Sequence, residues 1–166
     1  MSDANILVGD VTETLAGLQD GCVQTVVTSP PYWGMRDYGH DGQIGLEDTP
    51  DEYVERLVRV FREVRRVLAD DGTAWVNLGD IYRSDGRGES KAGFNRRTFG
   101  DHLAEGKHDV PEAHVNRRKL NFGSTKMKEI VGLPWRVAFA LSEDGWYLRQ
   151  DIVWAKPNPM PESVTD

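Results

Sequence analysis

Residues 50–69 restrict the fold of this chain more than any other segment. Tyr53, Val54, Leu57, Val60, Phe61, Val64, Val67 and Leu68 recur at helical spacing, which gathers them on one stripe of an α-helix. Arg56, Arg59, Arg62, Arg65 and Arg66 take the remaining faces. The start is set by local chemistry: Thr49 and Glu52 make a capping box, and Pro50 suits the first turn. Asp71-Gly72 is a stop signal. Short apolar runs at 23–28 and 73–78 flank this helix and read as strands. The same rhythm extends outward, with a strand at 5–8 ending in Gly9-Asp10, a short helix at 12–18, a helix at 134–143 and a strand at 146–155. Such alternation predicts an α/β fold, a mainly parallel sheet with helices on its faces.

Two stretches interrupt the pattern. Residues 32–48 are glycine-rich and aperiodic, and read as a loop. Residues 83–128 are dominated by Gly, Arg, Ser and Asn, and form an irregular insertion that gives way to regular structure after about residue 130. A loop of that length inside a compact domain is either functional or disordered. Its charge sets it apart: eleven Lys/Arg against six Asp/Glu give +5, leaving −12 for the rest of a chain whose net charge is −7. The overall acidity therefore does not exclude nucleic acid, because a basic segment can serve as the electrostatic footprint. Arg96, Arg97, Arg117 and Arg118 sit in its two basic knots.

The length of 166 residues suits one domain with a real core. No apolar run approaches the roughly 20 residues of a membrane span, and the first five residues lack the features of a signal peptide. The single cysteine, Cys22, has no internal disulfide partner, so a reducing cytoplasm is expected, and it reads as a small, partly buried residue. His40, His102, His108 and His114 have neither a tight ligand spacing nor a cysteine cluster, so no metal is expected.

The chemistry lies where the strand at 23–28 ends, in Thr28-Ser29-Pro30-Pro31-Tyr32-Trp33. Proline fixes φ and lacks an N–H, so the carbonyls of Ser29 and Pro30 can be held as acceptors pointing one way. Tyr32 and Trp33 offer faces on which a base could stack. The combination suits a flat ring bearing an amino group. It resembles motif IV of the amino-methylating, S-adenosylmethionine-dependent DNA methyltransferases, in the Ser-Pro-Pro-Tyr form associated with N4-cytosine enzymes. Other segments fall in the order of the permuted class: Gly9-Asp10 shortly before this motif, then Trp75-Val76-Asn77-Leu78-Gly79-Asp80 and Trp154-Ala155-Lys156-Pro157-Asn158 after it.

The resemblance implies a Rossmann-like methyltransferase sheet and a catalytic cluster of Ser29, Pro30, Pro31 and Tyr32, with Ser29 Oγ and the Pro30 carbonyl gripping the amine and Tyr32 stacking on the ring. It implies Asp10 and Thr28 on the cofactor side, Trp33, Asn77, Asp80 and Trp154 lining the target-base pocket, and Arg36 and Lys156 reaching DNA. Asp10 reads equally as an N-cap, and Asp80 as a turn residue. Where some relatives carry an acid, this chain has Asn77, which argues against a general base there. The implied partner is double-stranded DNA, with the target base turned out of the helix. Carbon-5 methylation would instead need a nucleophilic cysteine in a Pro-Cys context, which Cys22 lacks.

The class also has a glycine-rich cofactor loop and a target-recognition region, and neither is found in these residues. The expectation is an amino-terminal catalytic part of a restriction-modification type of methyltransferase, with an incomplete sheet whose strands at 5–8 and 23–28 would be separated by two absent strands. A carboxy-terminal half or a second copy would complete it. Two alternatives stay open: methylation of adenine N6 or another amine, and a noncatalytic DNA-binding fragment without a cofactor site.

Overall fold

A computed structural model describes residues 4–83 and 120–158. Among the described residues five elements follow in order: α1 (Val11–Ala16), β1 (Val23–Thr28), α2 (Pro50–Val67), β2 (Leu68–Val76) and α3 (Leu133–Glu143). β1 and β2 pair in parallel, with α2 as the crossover between them. This is the α/β arrangement expected from the alternation.

The capping box forms as read: Thr49 Oγ1 accepts from the Glu52 amide at 3.2 Å, and Glu52 Oε2 accepts from the Thr49 amide at 3.2 Å. The predicted apolar stripe is the core. Tyr53, Val54, Leu57, Val60, Phe61, Val64, Val67 and Leu68 are all buried, joined by Trp33, Val131, Leu133 and Val137. α2 packs against α1, α3 and β2. Its arginines pin the periphery. Arg66 donates to the Leu15 and Leu18 carbonyls at the end of α1, and Arg62 bonds Asp144 just after α3. The Arg62 hydrogen bond holds the Asp144 carboxyl below its ordinary range.

Three expectations needed correction. Asp71-Gly72 does not separate helix from strand; β2 starts directly at Leu68, and residues 69–72 stand against the single residue Gln24 in an irregular register before Thr25 meets Thr73. The backbone turns extended at Leu68 (φ −72°, ψ 139°) because its side chain is still drawn into the core beside Val67. The segments at 5–8 and 146–155 are not strands. Neither has a hydrogen-bonding neighbour strand among the described residues, and a strand exists only through its ladder. Ile6 and Val8 are 88% and 94% exposed, and Trp154 is 74% exposed. Cys22, expected to be partly buried, is exposed.

The insertion leaves and re-enters the fold at one place. Tyr82 and Ile130 form an antiparallel bridge, and the Val131 amide donates to the Ile81 carbonyl at 2.9 Å. Arg96, Arg97, Arg117 and Arg118 lie outside the described residues. No helix among the described residues is long and apolar enough to cross a membrane.

Candidate active site

The end of β1 and the end of β2 lie side by side, since Thr28 pairs with Val76 and the Asn77 amide donates to the Thr28 carbonyl at 2.9 Å. That register brings Ser29 and Asn77 together from 48 residues apart: Ser29 Oγ donates to the Asn77 carbonyl at 3.3 Å. The Tyr32 hydroxyl lies 3.2 Å from Ser29 Oγ. A hydroxyl has one proton and two lone pairs, so with its proton on Asn77 the serine accepts from Tyr32 and keeps one lone pair free. Ser29 and Asn77 are exposed, and Tyr32 is half-buried.

The consecutive carbonyls of this turn have different surroundings. The Pro31 carbonyl accepts from the Tyr53 hydroxyl at 2.9 Å, and the Tyr32 carbonyl accepts from the Met35 amide at 3.3 Å. The Pro30 carbonyl accepts no hydrogen bond among the described residues. Ser29 Oγ, with one lone pair to spare, and the Ser29 and Pro30 carbonyls, neither of which accepts a hydrogen bond among the described residues, are thus the acceptors left over in Ser-Pro-Pro-Tyr. Tyr53 rises from α2 with 1% of its surface exposed. Burial above all, then the nearby Glu47 carboxylate and Tyr32, push its phenol well above the usual tyrosine range. At neutral pH it stays protonated and donates to the Pro31 carbonyl.

Trp33, expected to line the base pocket, is fully buried. Its indole Nε1 donates to the Glu47 carbonyl at 2.8 Å, and its ring meets Phe122 edge-on at 5.4 Å. Adjacency to Tyr32 in the chain had suggested a shared face for the two rings. The turn instead sends them opposite ways, one to the surface cluster and one into the core. Trp33 and Glu47 thereby tie down the loop that follows, with Glu47 also receiving the Gly45 amide at 2.9 Å and the Arg56 guanidinium at 3.4 Å.

Asp80 is half-buried beyond β2, with Oδ1 accepting from the Ile81 amide at 2.9 Å and the Gly132 amide at 3.2 Å. Oδ2 is buried and has no partner among the described residues. This carboxylate joins the exit of β2 to the entry of α3, as a turn residue does. Asp10 caps α1, with Oδ1 accepting from the Thr12 amide at 2.8 Å and the Glu13 amide at 3.3 Å. Oδ2 of Asp10 carries no hydrogen bond among the described residues. Trp154 and Lys156 lie on the exposed segment after α3, and Arg36 is exposed in the loop after the motif. None of these three is hydrogen-bonded to Ser29, Tyr32 or Asn77. Among the described residues no group of His, Cys, Asp or Glu could hold a metal.

Two residues of the site are not marked as such by the sequence pattern. Tyr53 counts there only as an apolar helix position, although a phenol on a buried helix face is itself a signal of a polar partner. Gly79 gives no signal, because its contact with Tyr32 arises only through the β1–β2 register.

A family profile described as DNA methylase, of the N6/N4 type, matches residues 23–166. The chain is 49% identical over all 166 residues to the Type II methyltransferase M.Cfr9I of Citrobacter freundii and covers 51% of it. It is 47% identical over its whole length to the Type II methyltransferase M.SmaI of Serratia marcescens, covering 52% of it. To the Type II methyltransferase M.SfiI of Streptomyces fimbriatus it is 46% identical over 99% of this chain and 33% of that one. The chain thus spans about half the length, or less, of these curated relatives. No solved structure matches it. With its Ser-Pro-Pro-Tyr turn at the end of β1 beside the exit of β2 and a profile match over most of its length, the chain belongs to the N6/N4 DNA methylase family.

Proposed function

We propose that residues 1–166 are the amino-terminal catalytic part of a DNA methyltransferase that methylates the exocyclic N4 of a cytosine turned out of the duplex. The observation that carries this reading is the spare acceptor capacity beside Tyr32: one lone pair of Ser29 Oγ and the Pro30 carbonyl, which accepts no hydrogen bond among the described residues. An aromatic amine is a weak nucleophile because its lone pair is delocalised into the ring. Two acceptors on its N–H bonds favour the pyramidal nitrogen, whose lone pair projects from the ring plane. Positioning and preorganised dipoles supply the catalysis, with no covalent intermediate on the protein. Tyr32 supports the ring, and one amine proton leaves toward the exposed Ser29–Asn77 side. Ser29 at the head of the motif, where related motifs carry Asp or Asn, favours cytosine.

S-adenosylmethionine would supply an electrophilic methyl group on a sulfonium. Asp10 fits its adenosine part: one carboxylate oxygen is used by α1 and the other is a spare acceptor for a ribose hydroxyl or an adenine amine. Thr28, at the carboxyl end of β1, lies where α/β sheets receive ligands. Arg36, Lys156 and the basic insertion are the DNA-facing cations in this reading.

The crossover β1–α2–β2 is the unit from which Rossmann-like methyltransferase sheets are built. Further strands, in a carboxy-terminal half of the kind the longer relatives leave room for, would pair with 5–8 and 146–155. They would cover Ile6, Val8, Val27, Val153 and Trp154, all exposed here.

The test is methyl transfer by the full-length protein to duplexes containing a single cytosine or a single adenine acceptor. N4-methylcytosine as product is the expected outcome, with Ser29→Ala lowering kcat roughly 100-fold, the scale of losing one preorganised polar group at the reacting atom. N6-methyladenine as the only product would refute the cytosine assignment. Normal turnover in the Ser29→Ala variant would refute the acceptor role.

A further inference from the structure

We infer that Gly79 is a positioning residue for Tyr32: it is glycine because the tyrosine ring occupies the space a side chain would need. This rests on the reading of Tyr32 as the support for the target base. A Cβ at Gly79 would come within 2.8 Å of Tyr32 Cε2, 2.9 Å of Cδ2 and 3.5 Å of Cζ. The first two separations are shorter than real Cβ contacts allow. The backbone does not itself demand glycine there, since the glycines with positive φ include Gly34, Gly39 and Gly45 but not Gly79. Sterics from one ring therefore account for the residue.

The consequence is a three-sided holder. Gly79 backs the Cδ2–Cε2 side of the ring, Ser29 Oγ holds its hydroxyl at 3.2 Å, and Tyr53 anchors the preceding Pro31 carbonyl at 2.9 Å. Gly79 lies two residues beyond Asn77, so the exit of β2 supplies both the carbonyl that receives Ser29 and the surface that receives Tyr32. A methyl group at Gly79 must displace the ring or the backbone of the β2 exit. Displacement of a ring by about 1 Å costs on the order of 100-fold in rate when it sets the attack geometry.

A double-mutant cycle in the full-length protein tests this. Gly79→Ala should lower kcat roughly 100-fold with the Kd for S-adenosylmethionine unchanged, and should add less than about twofold to the loss caused by Tyr32→Ala, because the ring it acts through is gone. Equal factors for Gly79→Ala in both backgrounds, or wild-type kcat in the single variant, would overturn the inference. If Gly79→Ala does not fold, the same cycle is read by circular dichroism. Tyr32→Ala should then restore folding to the double variant, and failure to restore it refutes the ring as the cause. The cytosine assignment fails separately, by the wild-type protein methylating adenine instead, and the cycle is then run on that base.

Discussion

Replacing Tyr53 by Phe removes one oxygen from beneath the Ser-Pro-Pro-Tyr turn and little else. The deleted hydroxyl donates to the Pro31 carbonyl at 2.9 Å from a side chain that is 1% exposed. A neutral hydrogen bond contributes about 1 kcal/mol net, and a buried carbonyl left without its donor adds the cost of its desolvation. Pro31 is only half-buried, so water recovers part of that second cost, and a destabilisation of about 1–2 kcal/mol at pH 7 is expected. The pH arm is the sharper measurement. In the unfolded chain the phenol ionises near pH 10, whereas burial and the Glu47 carboxylate keep it protonated to higher pH when folded. Above about pH 10 the native state therefore binds one proton more than the unfolded state. Wild-type stability should fall with pH by up to about 1.4 kcal/mol per unit there, and this contribution should be fully present below that pH. Urea unfolding of the full-length wild-type and Tyr53→Phe proteins at about pH 7, 10 and 11 reads both effects. The variant should be weaker at neutral pH and lose less stability in the alkaline range, so the two curves converge. Parallel curves, or a variant as stable as wild type at neutral pH, would refute the role given to this hydroxyl.

Trp33→Ala should cost about 3–5 kcal/mol of stability, as for other large aromatic truncations in cores, and show as a lowered Tm. Unchanged stability with weakened DNA binding would instead support the expected place of Trp33 in the base pocket. Neutralising Arg96, Arg97, Arg117 and Arg118 together should weaken DNA binding and flatten its dependence on salt, by roughly 0.9 in the log–log slope for each phosphate that these side chains no longer neutralise. Affinity equal to wild type from about 50 to 200 mM salt, the range over which such charges act, would remove the insertion from the DNA interface.

Local chemistry was legible wherever a few neighbouring residues decide the outcome. The cap at Thr49–Glu52, the buried stripe of α2, the strand at 23–28 and the helix that became Leu133–Glu143 each follow from spacing and propensity within one segment. The flanking segments at 5–8 and 146–155 carry strand-like sequences and yet have no paired strand among the described residues, because a ladder depends on a neighbour that the segment does not encode. Asp71-Gly72 misled for a related reason: burial of Leu68 starts the strand early, and the turn residues are absorbed into its irregular register.

The sequence by itself determined the Ser-Pro-Pro-Tyr motif and the family it points to, since four consecutive residues at the end of a strand are a contiguous signal. Only the tertiary structure decided which of its groups already have partners. Pairing of Thr28 with Val76 brings Asn77 to Ser29 and Gly79 to Tyr32, while packing of α2 ties up Pro31 through Tyr53 and the core takes in Trp33. These neighbours are distant in the chain, set together by strand register and helix packing, and no local pattern specifies them.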